Sequence, residues 1–380
     1  MKSKSQKMHV YKVLGIFALC AVAFGAGYWS KGISGSADET LIESAFRTIA
    51  SDSLFNQQSS RELSYAAIRG MLSQINDPYA ELVEPQAAQN FSSTFSGQTG
   101  VIGLYAENKA NQVVVTIVFP NGPAYKAGLR VGDVILAIDS KTLDKDMDSS
   151  ETGLMIRGLP GSVVHLKVQR ETQVLEYGVV RQVRDYVTTR MLPEGIGYIS
   201  LNAYNRTASQ EMKVALEALM AQKPVGLVWD LRNNEGGDMQ AAQDILSYFI
   251  KDGLLFSAEL TQGRTVQFLA KGNAVAADIP LVVLMDKTTY SAAETSAAAI
   301  AETGRGKTIG SNSYGKGVIQ ATIPLLKDTL LQMTIARWHS PHGEWYQERG
   351  VAPQIEASDD PATEADELLQ EAVKILTTPG

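Results

Sequence analysis

The chain is short of the residues that metal and redox chemistry use. It has one cysteine, Cys20, so no internal disulfide can form. Its four histidines, His9, His165, His339 and His342, show no zinc-type spacing with cysteine or acids. No metal site and no cofactor is expected. Positive charge is scarce as well. The formal net charge is −7, and setting aside Lys2, Lys4, Lys7 and Lys12 leaves −11 from residue 13 onward. A surface of that sign does not track a phosphate backbone, which excludes nucleic acid as a partner. Glycine and proline, 32 and 13 of 380 residues, are too few for a collagenous or disordered chain, and 44% hydrophobic residues suffice for a sizeable core. At this length two or three domains are expected.

What is present begins with a targeting segment. Met1 to Lys12 carries lysines and no acid, and Val13 to Trp29 is uncharged and mostly apolar. Those seventeen residues reach about 25 Å as a helix, slightly short of a ~30 Å hydrocarbon core, with Tyr11, Tyr28 and Trp29 placed for the interfaces. The segment reads as a signal anchor through residues 13–29, or as a cleaved signal peptide with Ala21-Val22-Ala23 or Ala23-Phe24-Gly25 at the cut. Either way residues 32 onward are expected outside the cytoplasmic membrane. Leu19 before Cys20 breaks a lipobox, so lipidation is not expected.

After the linker Ile33–Asp38, the apolar spacing of Leu41, Ile42, Ala45, Phe46 and Ile49, and again of Leu63, Ala66, Ala67, Ile68 and Met71, predicts amphipathic helices between Glu39 and about Phe91. Asp77-Pro78-Tyr79 stops the second of them. Strands follow at 103–106 and 113–118, a helical turn ending at Gly128, a buried strand near Val131–Asp139, a helix over Ser149–Arg157 and a strand over Val163–Gln169. The string Pro120–Leu143 resembles a PDZ domain. PDZ domains add a peptide C-terminus to a sheet edge and hold its carboxylate on backbone N–H groups of a glycine-containing loop. The resemblance implies that Val101, Ile102, Gly103 and Leu104 are that loop, with Val101 where the family more often has Gly.

The last 200 residues alternate strands (195–200, 224–231, 279–285) with helices (208–220, 239–250), an α/β pattern. Two stretches stand out. Asp230 to Gly237 (DLRNNEGG) runs from a buried strand into paired glycines, which let backbone N–H groups face a cavity. Ser291 and Glu294 form an S-x-x-E capping box after an apolar strand, and a helix start is also where a developing oxyanion is stabilised. Ser291 is thus a cap, a nucleophile or both. No G-x-S-x-G elbow exists and no histidine is well placed as base. Lys316, framed by Gly315 and Gly317, can serve once burial lowers its pKa from about 10.4.

The order DLRNNEGG, YSAAE, YGKGVIQ resembles the S41 family of carboxy-terminal processing (tail-specific) serine proteases, which use a Ser-Lys dyad. The separation of 25 between Ser291 and Lys316 matches the family spacing, and Gln320 stands where members place a lysine-orienting Gln. The resemblance spans about residues 38–358. Together with the leader read above, it gives a multidomain α/β (α+β) chain: tail, anchor and linker (1–37), then as the resemblance implies an N-terminal helical region (38–97), PDZ-like domain (98–182) and crotonase/ClpP-like Ser-Lys protease core (183–358), followed by a C-terminal acidic helix (359–380). Ser291 would be the nucleophile and Lys316 the base, with backbone N–H groups of Gly236, Gly237 and Ala292 as oxyanion hole. Asp230, Arg232 and Asn233 would support the loop. Partners would be proteins or peptides with exposed, mostly apolar C-terminal tails, and self-association into a homo-oligomer is left open. Thr288-Thr289-Tyr290 replaces the family's usual Gly-Ser-Ala, and Gln354 an Asp. The competing readings are a catalytically silent exported PDZ scaffold or peptide-binding protein, and a non-proteolytic crotonase-like enzyme.

Overall fold

The computed structural model describes residues 37–85, 88, 100–109, 112–118, 122–143, 149–183, 186–326, 328–359 and 365–378. The anchor expected at residues 13–29 lies outside them. Among the described residues no helix is long and apolar enough to cross a membrane. The chain divides into two compact units, residues 1–75 and 76–380. The described part of the first is two helices, α1 (Ala37–Asp52) and α2 (Ser60–Leu72). Helix α2 starts on a capping box: Ser59 Oγ accepts from Glu62 N–H at 3.2 Å, and the Glu62 carboxylate accepts from Ser59 N–H at 2.6 Å.

The second unit opens on β1 (Glu81–Val83), a strand where helical periodicity had predicted helix as far as about Phe91. Three residues are too few for any period to show, and what makes them a strand is a distant partner.

The PDZ-like unit follows, and it is an antiparallel sheet with alternating burial. It comprises β2 (Gly100–Val101), β3 (Leu104–Lys109), β4 (Gln112–Val118), α3 (Pro123–Ala127), β5 (Val134–Ile138), β6 (Lys141–Thr142), α4 (Ser149–Ile156), β7 (Val163–Arg170), β8 (Gln173–Val180) and β9 (Gln182–Val183). The main sheet has the order β3-β4-β5-β7-β8. Strand β7 reads buried at every second residue, the signature of one covered face. Gly128 caps α3 at φ 96, the left-handed conformation that its lack of Cβ permits. Strand β8, absent from the sequence reading, is turned back on β7 at Glu171, itself at φ 52.

The core holds two sheets. The first is β10 (Val187–Met191), β11 (Ile196–Leu201), β12 (Gly226–Asp230), β15 (Leu281–Met285), β16 (Lys307–Gly310) and β19 (Ile355–Glu356), parallel from β11 onward. The second is antiparallel. It joins β1, β13 (Leu254–Leu260), β14 (Thr265–Leu269), β17 (Val318–Pro324) and β18 (Leu330–His339), with β18 pairing β1, β13 and β17. Helices α5 (Arg206–Ala221), α6 (Met239–Phe249) and α7 (Ala292–Glu302) pack with Trp229 and Val283 on one face of the parallel sheet, while α8 (Glu367–Thr377) packs with Val228 and Val282 on the other. Covered on both sides, β12 and β15 are buried throughout, which is why they appear in the sequence as unbroken apolar runs.

Candidate active site

Strand β12 delivers the loop Leu231–Gly237. Asn234 is fully buried there and ties the loop down in three directions. Its Nδ2 donates to Leu201 O at 2.7 Å, its Oδ1 accepts from Gly236 N–H at 2.8 Å, and its carbonyl accepts from Tyr290 N–H at 3.0 Å. Gly236 sits at φ 70, and a Cβ there would lie 2.8 Å from Ser291 Cβ. Glycine is the only residue this approach admits. Gly237, at φ 139, bridges Tyr204, and that bridge uses Gly236 O and Asp238 N–H, leaving the N–H of Gly237 outside it.

Asp230 and Arg232 support this loop from behind. The Asp230 carboxylate accepts from Arg232 N–H, the Arg232 guanidinium and Tyr198 Oη at 2.7–3.1 Å, and Arg232 also reaches Asp366 at 2.8 Å, the cap of α8.

Ser291 ends the turn after β15 at φ 55 and ψ −115, immediately before α7. A non-glycine residue held there costs roughly 1–3 kcal/mol, which the packing on both sides sustains. Ser291 is 9% exposed. Ala292 begins the helix, so its N–H has no partner within it.

Glu294, one turn on, is wholly buried and does more than cap its helix. Its Oε2 accepts from Ser291 N–H and from Lys316 N–H, both at 2.8 Å, and its Oε1 accepts from Ser313 Oγ and Gly315 N–H, both at 2.6 Å. One carboxylate oxygen therefore gathers the backbones of the two candidate dyad residues. Burial pushes its pKa up, and the four donors pull it back.

Lys316 lies between two phenol rings, its Nζ 4.9 Å from the centre of Tyr79 and 4.7 Å from that of Tyr290. Its carbonyl accepts from Trp338 Nε1 at 2.7 Å, and the next carbonyl, of Gly317, accepts from Trp345 Nε1 at 2.8 Å and Trp338 N–H at 3.0 Å. Gly317 N–H donates to Gln347 Oε1 at 2.8 Å. Burial lowers the Lys316 pKa to about 8 against the opposing charges of Glu294 and Asp77. Gln320, on β17, faces Thr334 on β18, its Nε2 3.5 Å from Thr334 Oγ1. The remaining histidines are elsewhere: His339 contacts Glu259 and Gly343 O, and His342 contacts Glu302.

The structure thus brings together Ser291, Ala292, Gly236, Gly237 and Lys316. It adds Asn234, Trp338, Trp345 and Tyr79, and gives Glu294 more than its capping role; in the sequence Asn234 is marked only by the DLRNNEGG run, Tyr79 only as part of a helix stop, and the two tryptophans not at all. The expected peptide loop lies in the PDZ-like unit, between β2 and β3. Val101 pairs Gln182 in β9, the Ile102 side chain is in the PDZ-like core with its carbonyl accepting from Ala124 N–H, Gly103 is at φ 76, and Leu104 opens β3, the end strand of its sheet with α4 packed beside it. The two parts meet at Glu235, whose carboxylate accepts from Tyr105 Oη of β3 and from Arg157 Nη2 just past α4 at 2.6 Å.

Among the described residues no group of three or more His, Cys, Asp or Glu side chains is placed to hold a metal ion.

Residues 195–357 match the profile of Peptidase family S41, and residues 114–170 that of a PDZ domain. The carboxy-terminal processing proteases CtpB and CtpA of Bacillus subtilis (strain 168) are each 29% identical to this chain over 323 and 321 residues, covering 83% of it and 66% and 68% of their own lengths. The solved photosystem II D1 C-terminal processing protease is 27% identical, covers 90% of this chain and 98% of its own, and superimposes with a TM-score of 0.64. An S41 protease structure from Bacteroides fragilis NCTC 9343, at 16% identity and a TM-score of 0.51, shares the fold. With the α/β architecture, the PDZ unit and the S41-matching core in place, the chain is similar to the carboxy-terminal processing serine proteases of peptidase family S41 and carries a PDZ unit.

Proposed function

We propose that the protein is an exported, membrane-anchored endopeptidase that cleaves proteins near or from their C-termini with Ser291 as nucleophile and Lys316 as base. The observation that carries this reading is the shared Glu294 Oε2, which fixes the backbones of both residues on one atom. Neutral Lys316 takes the Ser291 Oγ proton as Oγ attacks the scissile carbonyl, then returns it to the leaving amine, and water releases the acyl-enzyme. Gln320 holds the lysine amine. The oxyanion falls to the N–H groups of Gly237 and Ala292. Gly236 N–H is already given to Asn234, so the role of Gly236 is close approach rather than donation. The edge strand β3 with α4 beside it supports the PDZ unit as reader of substrate C-termini on the loop Val101–Leu104. Anchoring rests on the apolar run 13–29.

Incubating the purified ectodomain with an unfolded protein tests the chemistry. Ser291→Ala and Lys316→Ala should each abolish cleavage, and the double variant should be no worse than either. Cleavage by Lys316→Ala would overturn the dyad. Matched peptides with a free and an amidated C-terminus should differ in affinity for the Ser291→Ala protein, and equal affinities would overturn carboxylate reading. Recovery of the full chain in the membrane fraction is the expected result for anchoring, and recovery in the soluble fraction the contrary one.

A further inference from the structure

Asp77 had been read only as part of a helix stop. It lies in the turn before β1, and three donors converge on its carboxylate. Oδ1 accepts from Tyr79 N–H at 3.0 Å and Thr334 Oγ1 at 2.9 Å, and Oδ2 accepts from Thr334 N–H at 2.8 Å. The turn is held in place by the register Glu81↔Gln332 between β1 and β18. Thr334, on β18, in turn stands opposite Gln320 on β17.

Hydrogen-bond polarity follows from these contacts. A carboxylate accepts and never donates, and a threonine hydroxyl has a single proton. With that proton given to Asp77, Thr334 Oγ1 can meet Gln320 only as an acceptor, so the end of Gln320 turned toward it is the NH2 group. The amide oxygen is the end left over. We propose that Asp77, acting through Thr334, sets the amide orientation of Gln320 so that its oxygen rather than its NH2 is presented to the Lys316 amine. Asp77 and Thr334 are then positioning residues. The proposal rests on the reading of Lys316 as base and Gln320 as its orienting group.

The orientation matters because a neutral lysine amine has two N–H donors and one lone pair. A carbonyl oxygen that accepts one N–H leaves the lone pair to the Ser291 proton, and it stabilises the ammonium once that proton arrives. A reversed amide would direct an N–H at the lone pair and then oppose the ammonium. The other groups facing Lys316 are Glu294 at the start of α7, Tyr79 beside Asp77 and Tyr290 before Ser291. Asp77 also acts on Lys316 by charge, raising its pKa against burial.

The test uses the full chain, unfolded casein as substrate, and the variants Asp77→Asn, Thr334→Val, Thr334→Ser, Gln320→Ala and Lys316→Ala. In Asp77→Asn the new NH2 can donate to Thr334 Oγ1, the hydroxyl proton turns to Gln320, and the amide reverses. kcat should fall about ten- to a hundredfold, as for a misplaced catalytic group, with KM within about twofold. Combining Asp77→Asn with Gln320→Ala should give no further loss beyond Gln320→Ala. The acid limb of the kcat/KM profile should move to lower pH, because a negative charge that favours the ammonium has gone. Thr334→Val should match the Asp77→Asn loss in kcat, and Thr334→Ser, which keeps the hydroxyl, should restore it; this pair carries the test where Asp77→Asn does not fold. Wild-type kcat in folded Thr334→Val, an unchanged rate in Gln320→Ala, or losses for Asp77→Asn and Gln320→Ala that multiply would each overturn the proposal. Lys316→Ala separates the two levels: cleavage by it overturns the dyad, whereas an inactive Lys316→Ala beside a fully active Thr334→Val overturns only the orientation.

Discussion

In the parallel sheet, β12 and β15 are buried along their whole length, and the loops they release bring Gly236 within 2.8 Å of Ser291 Cβ, measured from the position a Cβ would take. In the antiparallel sheet, β17 is only partly buried, and the turn before it is held by side chains that reach its backbone: Glu294, Trp338, Trp345 and Gln347. The first sheet fixes its half of the site by packing, the second by hydrogen bonds. Packing tolerates no added atom, whereas hydrogen bonding tolerates changes of shape but not of donor and acceptor count. Glu294 joins the two halves, its Oε2 accepting from the backbones of both Ser291 and Lys316.

Breaking that link should have the largest effect. Glu294→Ala should lower kcat/KM about a thousandfold or more, since the proposed nucleophile Ser291 and base Lys316 lose their common anchor. It should also lower the melting temperature, because four donors lose their acceptor and each buried one left unpaired costs roughly 1–3 kcal/mol. Glu294→Gln keeps the volume but offers one acceptor oxygen in place of two, and should fall between. Full activity in Glu294→Ala would show that the halves stay aligned without it. Next comes the packed half. Gly236→Ala places a methyl against Ser291 at a φ of 70 and should cost about a hundredfold in kcat with the fold retained by circular dichroism. A wild-type rate would mean the loop yields as easily as the polar half does.

The hydrogen-bonded half should be the one that titrates. With the Lys316 pKa lowered to about 8 by burial, the amine is protonated below that pH and neutral above it. kcat/KM should therefore rise about tenfold per pH unit up to about 8 and then level. His339→Ala and His342→Ala should leave that limb in place, and a flat profile between about pH 6 and 9 would remove lysine as the base. The smallest effect belongs to Trp345→Phe, which deletes one of two donors to Gly317 O. A loss of about threefold in kcat is expected, the equivalent of one hydrogen bond whose acceptor keeps another partner.

Much of the buried half was legible in the sequence. Apolar runs marked β12 and β15, and a serine three residues before Glu294 marked the start of α7. Lys316 and Gln320 are singled out by spacing and resemblance, and the structure sets the Lys316 backbone on Glu294 and Gln320 opposite Thr334. The strands around them were not found. β13, β14, β17 and β18 mix polar and apolar residues at partial burial, so neither period stands out. β1 is three residues long, and Asp77 meets Thr334 only through tertiary structure. Glu294 showed its spacing to Ser291 but not its bonds to Ser313, Gly315 and Lys316, because a capping box reports only what happens within one helix.

The pairing of β1 with β18 also fixes an order of assembly. Asp77 and Thr334 are 257 residues apart, and the whole PDZ-like unit lies between them. A chain made from its N-terminus completes the PDZ-like sheet while the strands that carry Lys316, Gln320 and Thr334 are still unmade. β18 pairs β17 as a local hairpin but must also collect β1 and β13, contacts of long sequence separation that form slowly. The site is therefore among the last parts to close, so a nascent chain, although its PDZ-like sheet is already complete, lacks the strand that faces Gln320 and Asp77.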